Sequence, residues 1–204
     1  MASPAREVTL VLLAAGRAVR MGRPKLALDV DGRMLLERAL DACSHHPTIV
    51  VVNASSEQLL RALAPREHVV AVVRQNHPER GLASSARMGA QAAAPGRGVG
   101  IVLADRPFLE AAIVDRVVER YRRGDAQIVF PVVGGAPAHP VIFAPELRPR
   151  LESFPDGESL QALRDAEGAT VERVDVEDPG ALLDVDTEDD LARARRWAAR
   201  ASGP

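Results

Sequence analysis

Cysteine occurs once in the 204 residues, at Cys43, and lysine once, at Lys25. A lone thiol makes neither an internal disulfide framework nor a cysteine-rich zinc site. Cys43 falls on the apolar side of a helical stretch and reads as core, consistent with the reducing cytoplasm in which the chain is expected to reside. Aromatic residues make up 3 % of the chain, too few for a base-stacking platform. A formal net charge of −2 provides no global basic field for nucleic acid or an acidic membrane, so neither is expected as a partner. No apolar run approaches the roughly 20 residues of a membrane span. Val8 to Ala15 mimics a short signal segment, but Arg6 is the only basic residue ahead of it. The chain then continues into a basic loop, so the run reads as a buried first strand.

Hydrophobic residues, at 47 %, are enough for a sizeable core, and the length fits one domain over 1–204. Short apolar runs alternate with helical patterns: strands at Val8–Ala14, Thr48–Asn53, Val69–Arg74 and Gly98–Ala104, helices at Met34–Ala42, Glu57–Leu63, Ser85–Ala93 and Ala111–Arg122. Strands apolar on both faces indicate a parallel sheet covered by helices. The expected fold is α/β, a three-layer Rossmann-like domain with a mostly parallel central sheet. The second half is less regular. Gln127–Val133, Val141–Phe143 and Thr170–Val176 read as strands; Pro145–Leu151, Ser159–Ala166 and Thr187–Arg200 read as helices. Thr187 is a natural N-cap, with Asp190 three residues on.

The loop after the first strand carries the strongest chemical signal. In a parallel sheet ligands bind beyond the carboxyl ends of the strands. Gly16 and Gly22 allow close backbone approach, and exposed amides there form an anion nest. Arg20 can fork onto phosphate oxygens, and Lys25 supplies a compact mobile cation. Every other basic residue, 25 of 26, is arginine; a lysine kept here marks a position a guanidinium does not serve. The loop is neither a Walker A motif nor G-x-G-x-x-G, because Gly16 and Gly22 are six apart and Lys25 follows Arg-Pro.

Two acidic positions stand out. Asp105 ends the apolar run Gly98–Ala104, where it either caps the next helix or holds a divalent cation; Mg²⁺ takes one or two carboxylates together with phosphate oxygens and water. Asp184 and Asp186, two apart, point the same way in extended chain. Asp186 either stabilises the dipole of the last helix or joins Asp105. In Arg80-Gly-Leu-Ala-Ser-Ser85, Gly81, Ser84 and Ser85 suit a phosphate or ribose, and Ser84 equally suits a plain N-cap. His45, His46, His68 and His77 lack metal spacing and read as surface residues.

The segment Leu13-Ala-Ala-Gly-Arg-Ala-Val-Arg-Met-Gly-Arg-Pro-Lys25 resembles the signature loop of the MobA/MocA-like nucleotidyltransferases, L-A-A-G-x-x-x-R-M-G-x-P-K. Leu103-Ala-Asp-Arg-Pro107 is similar to that family's L-[AG]-D-x-P, and Asp184-Val-Asp-Thr187 to its D-[IV]-D-T. The resemblance implies that Leu13 to Gly16 (with Ala14 and Ala15 between them), Arg20, Met21, Gly22 and Lys25 hold the nucleotide, with Gly81, Ser84 and Ser85 lining the same pocket. It implies Asp105 as metal ligand, and of the two late aspartates Asp186 is favoured as the second. Gly135-Ala-Pro-Ala-His-Pro-Val141 resembles the strand whose histidine, here His139, meets the acceptor, and Asp184 is placed on the acceptor side too. The halves are then nucleotide-binding at about 6–107 and acceptor-binding at about 108–200. Ala138 replaces a usual glycine. Pro155-Asp-Gly-Glu-Ser-Leu160 departs from G-D-x-G-x-R, with no arginine until Arg164.

The reaction so implied is attack by an acceptor phosphate on the α-phosphorus of a nucleoside triphosphate, with Mg²⁺ as cofactor and Arg20, Lys25 and Asp105 as catalytic residues. The nucleophile is already anionic, so no Ser/His/Asp or Cys/His arrangement is needed. Ala14-Ala15 goes with CTP in the family, and the resemblance implies molybdopterin as acceptor and a molybdoenzyme or cofactor-delivery protein as partner. Three alternatives stay open: a sugar- or polyol-phosphate cytidylyltransferase, a non-catalytic molybdenum-cofactor carrier, and a diverged oxidoreductase of the nicotine-blue type, which lacks a dinucleotide fingerprint here.

Overall fold

The structure, a computed structural model, describes residues 6–16, 22–165 and 168–201. Strand β1 (Val8–Ala14) is buried throughout. Its side chains alternate: Leu10, Leu12 and Ala14 enter one hydrophobic layer, while Val11 and Leu13 enter another, followed there by Ala15. A strand apolar on both faces has no solvent side and takes a central place under helices.

The chain then makes a small hairpin, β2 (Asp29–Val30) and β3 (Arg33–Met34). Asp31 and Gly32 turn it with φ of 56° and 74°, the pairing a two-residue hairpin loop requires. Helix α1 (Leu35–Ala42) leads to β4 (Thr48–Val52). Helix α2 (Ala54–Ala62) starts three residues before the expected Glu57, because Asn53 caps it by accepting from the Ser56 amide. Strand β5 (Val69–Arg74) and helix α3 (Gly81–Ala92) come next, then β6 (Gly98–Leu103) and α4 (Ala111–Arg123).

The irregular half supplies β7 (Ile128–Val133), β8 (Ala136–Pro137), β9 (Val141–Phe143), the short helices α5 (Arg148–Glu152) and α6 (Leu160–Arg164), β10 (Val171–Asp175) and the last helix α7 (Glu188–Ala201).

Among the described residues these strands form an eight-stranded sheet in the order β10-β7-β9-β6-β1-β4-β5, with β8 paired to β7. The pairs β1–β4, β1–β6, β4–β5 and β7–β10 are parallel, and β9 runs antiparallel between β6 and β7. Helices α1, α4 and α7 bury Leu36, Leu40, Val114, Val117 and Leu191 on one face. Helices α3, α5 and α6 bury Ala86, Ala90, Leu151 and Leu163 on the other. These are the three layers the alternating pattern predicts. Gly89 is required by closeness: a Cβ there would lie 2.1 Å from Val11 Cγ1, so α3 rides directly on β1.

Cys43 is buried, and burial pushes its thiol up to about 12. His46, expected at the surface, is buried instead; its Nε2 lies 2.8 Å from Asp115 of α4. That contact offsets the cost of hiding a polar ring. No helix among the described residues is long and apolar enough to cross a membrane.

Candidate active site

Strand β1 lies between β6 and β4, parallel to both. The carboxyl ends of all three therefore open on one rim, where chain direction along the sheet switches and ligands bind. Strand β1 delivers Ala15 and Gly16, β6 delivers Asp105, and β4 delivers Asn53.

Asn53 belongs to none of the motifs legible in the sequence. Besides capping α2, its Nδ2 donates to the carbonyls of Ala15 at 3.2 Å and Gly16 at 3.3 Å, fixing the start of the glycine loop. A polar residue ending an apolar strand is its only signal. Arg20 and Met21, expected to bind nucleotide, lie outside the described residues. Gly22 takes φ 61°, a left-handed conformation suited to glycine. Pro24 leads into a 3-10 turn, Lys25–Ala27, that points Lys25 back to the rim.

The Lys25 ammonium sits between two carboxylates, 2.8 Å from Asp105 Oδ2 and 2.7 Å from Asp186 Oδ1. Its side chain is only 12 % exposed. Burial alone pushes its pKa down; the pull of Asp105 and Asp186 outweighs that, so it is held above the ordinary lysine range and stays charged. Carboxylates 80 and 161 positions away in sequence thus converge on one ammonium.

Asp186 is brought there by two local devices. Thr187 and Asp190 cap α7 reciprocally, Thr187 Oγ1 accepting from the Asp190 amide at 3.2 Å and Asp190 Oδ2 accepting from the Thr187 amide at 2.9 Å. The Val185 amide donates to the Asp105 carbonyl at 3.1 Å. The segment is a bend, not a strand, so Asp184 and Asp186 diverge. Asp184 faces Arg106 and Arg193 at 3.9 and 3.8 Å, whereas Asp186 pairs with Lys25.

Two carboxylates meeting at one cation fit a divalent metal. The second oxygen of Asp105, Oδ1, is buried without a hydrogen-bond partner among the described residues, an unspent acceptor that a hard cation satisfies. Among the described residues no group of three or more His, Cys, Asp or Glu side chains is clustered to hold a metal. Protein alone therefore supplies too few ligands, and the donor set matches a cation completed by phosphate oxygens and water.

Gly81 takes φ 84° and opens α3 four residues earlier than expected. That corrects the N-cap reading of Ser84: both serines lie inside the helix, 3 % and 4 % exposed. Ser84 Oγ accepts from the Gln75 side-chain amide at 3.0 Å. Neither serine hydrogen-bonds to the Lys25 centre among the described residues.

His139 donates from Nδ1 to the Ile101 carbonyl at 3.1 Å. It lines a cavity of about 160 Å³ with Phe143, Gln161 and Arg164. Arg164, absent from the family position in sequence, therefore reaches the His139 cavity from α6. Burial pushes the His139 imidazole from its ordinary 6.5 down to about 4, against the pull of the Ile101 carbonyl. An unfolded imidazole binds a proton near pH 6.5 and the folded one only near 4, so stability is complete above 6.5 and falls as pH drops through that window. Urea midpoints are expected to fall more steeply from about pH 6.5 to 4 in the native chain than in His139→Asn. Equal slopes would remove His139 as the source of this pH dependence.

Sheet order, glycine loop, ammonium and paired carboxylates define an α/β domain of the nucleotidyltransferase class. A family model described as the MobA-like NTP transferase domain matches residues 10–172, and the chain belongs to that family. It is 32 % identical over 139 residues to the bifunctional protein GlmU of Acidiphilium cryptum, a match covering 66 % of this chain and 30 % of that protein. The chain thus spans about 30 % of that relative's length. It is 28 % identical to a probable molybdenum cofactor guanylyltransferase of Natronomonas pharaonis, over 93 % of this chain and 97 % of that one. The fold is shared with Rv0371c of Mycobacterium tuberculosis H37Rv at TM-score 0.80 and 24 % identity, covering 93 % of this chain and 98 % of that chain. A second structure of Rv0371c is a manganese complex.

Proposed function

We propose that this chain transfers a nucleoside monophosphate, CMP from CTP, to a phosphorylated acceptor of the molybdopterin type and releases pyrophosphate. The observation that carries this reading is the single point at which Lys25 meets Asp105 and Asp186, at 2.8 and 2.7 Å, on the rim beside Gly16. Asp105 and Asp186 are the residues for Mg²⁺, which when bound neutralises phosphate charge and orients the α-phosphate.

An oxygen of the acceptor phosphate attacks the α-phosphorus. The bond to the bridging oxygen of the β-phosphate breaks, and its electrons leave with pyrophosphate. The chain contributes positioning and charge. Backbone at Ala14 to Gly16 and Gly22 seats the nucleotide, with Gly81 and the first turn of α3 beside it. Lys25, with Arg20, stabilises charge on the departing pyrophosphate. His139 and Arg164 line the cavity assigned to the acceptor. Ala14-Ala15 supports cytosine, whereas the guanylyltransferase name of the Natronomonas relative favours a second reading, GMP from GTP.

Pyrophosphate release measured across the four ribonucleoside triphosphates, with and without molybdopterin, separates these. CTP turnover dependent on molybdopterin and at least about tenfold above GTP, a difference of about 1.4 kcal/mol, is expected. GTP preference would reverse the base assignment. Turnover only with a sugar or polyol phosphate would replace the acceptor. Tight molybdopterin binding without pyrophosphate would leave a carrier.

A further inference from the structure

The family pattern L-[AG]-D-x-P leaves the position after the aspartate unassigned, and here it is Arg106. Its side chain is 15 % exposed. It does not face outward from the rim but reaches across to the late acidic segment. Nη1 donates to the Leu182 carbonyl at 2.8 Å and, longer, to the Ala181 carbonyl at 3.4 Å. Asp184, at 3.9 Å, balances its charge loosely. Resting on the cation reading above, we infer that Arg106 is a positioning residue for the divalent-cation site, setting the distance between the Asp105 and Asp186 carboxylates.

The segment it holds has little structure of its own. A single 3-10 turn, Pro179–Leu182, precedes the bend that carries Asp186. The Asp186 side chain is 48 % exposed, so its own packing does not fix it. Downstream, the bend is held by the Val185 amide on the Asp105 carbonyl and by the Thr187–Asp190 cap, with the Val185 side chain buried. Upstream, the Arg106 grip on Leu182, three residues earlier, is the attachment from the adjacent residue of the same rim. Held on both sides, the carboxylate after Val185 is kept facing the one borne by Asp105. The pair Asp105-Arg106 therefore supplies one ligand and aims the other. The guanidinium brings one nitrogen, Nη1, to both carbonyls, and partners that orient ligands typically shift metal affinity by about 10–100-fold.

The test uses the full chain and Mn²⁺ alone as probe, with affinity read by electron paramagnetic resonance of free Mn²⁺. Arg106→Gln is expected to weaken Mn²⁺ binding by at least about tenfold and to raise the metal concentration for half-maximal turnover, while kcat at saturating metal falls less. Arg106→Lys, which keeps the charge and a single donor nitrogen on a shorter side chain, should restore part of the affinity and covers the case in which the glutamine variant does not fold. In an Asp186→Asn background, Arg106→Gln should cause little further loss, because no second ligand remains to be aimed. Unchanged Mn²⁺ affinity in Arg106→Gln with a raised KM for CTP would overturn the inference and make Arg106 a nucleotide contact. An equal loss with and without Asp186 would also overturn it, leaving general support of the fold. Retained Mn²⁺ affinity in both Asp105→Asn and Asp186→Asn would remove the cation reading itself; loss there with none in Arg106→Gln defeats only the positioning role.

Discussion

Asp105→Asn lowers turnover by about two orders of magnitude or more and abolishes most divalent-cation affinity, while the protein still folds. The substitution keeps the shape and one oxygen but removes the charge. Asp105 lies just past the end of β6, whose register with β1 runs from Val8–Gly98 to Leu13–Leu103, so backbone pairing holds the position regardless of the side chain. The Lys25 ammonium keeps Asp186 as partner. The pair lost is mostly buried, with side chains 12 % and 26 % exposed, but the remaining carboxylate partner limits the cost to about 1–3 kcal/mol. Function depends on charge in another way. Oxygens developing charge in phosphoryl transfer need fixed countercharge, and removal of one such element typically costs about 10²–10³ in rate. The measurement is pyrophosphate release at saturating CTP, beside a thermal melt. Turnover within a few-fold of native would strip Asp105 of its assignment.

How much of this is legible in sequence depends on whether the relevant partner is local. Val8–Ala14 and Gly98–Leu103 are readable because a strand buried on both faces has a continuous apolar run. Lys25 and Asp105 stand out from their places just beyond those runs. Asp186 is separable from Asp184 only by its cap: Thr187 and Asp190 fix where α7 begins and turn the preceding residue toward the rim. The start of α3 is misplaced from sequence because Gly81 reads as loop, whereas its positive φ is what lets a 3-10 turn pass directly into helix. His46 reads as exposed because its partner, Asp115, is 69 residues away. Asn53, Arg106 and Arg164 share that cause. Each is an ordinary polar residue whose target, a loop carbonyl or a cavity wall, exists only after the sheet assembles.

Lys25→Met is expected to change two measurements in opposite directions: turnover falls by at least about a hundredfold, while Mn²⁺ binding without nucleotide becomes at least about tenfold tighter. The reason is competition. Lys25 occupies the point between Asp105 and Asp186 that the proposed divalent cation would take, and two unit charges about 4 Å apart attract by about 4 kcal/mol at an effective dielectric near 20. A metal entering the free protein must displace that ammonium, and tenfold in affinity corresponds to only about 1.4 kcal/mol of the opposition removed. Bound triphosphate would change the balance, because its oxygens would give the ammonium another anionic partner. Asp105 and Asp186 would then be free to hold a divalent cation, which would supply countercharge to the polyphosphate. Lys25→Arg tests the same geometry. Its wide planar fork does not fit a point contact at 2.7 and 2.8 Å from two carboxylates, so turnover should fall here too despite the retained charge. Full activity in Lys25→Arg would mean that charge alone is needed, and unchanged Mn²⁺ affinity in Lys25→Met would mean that lysine and metal do not share a seat.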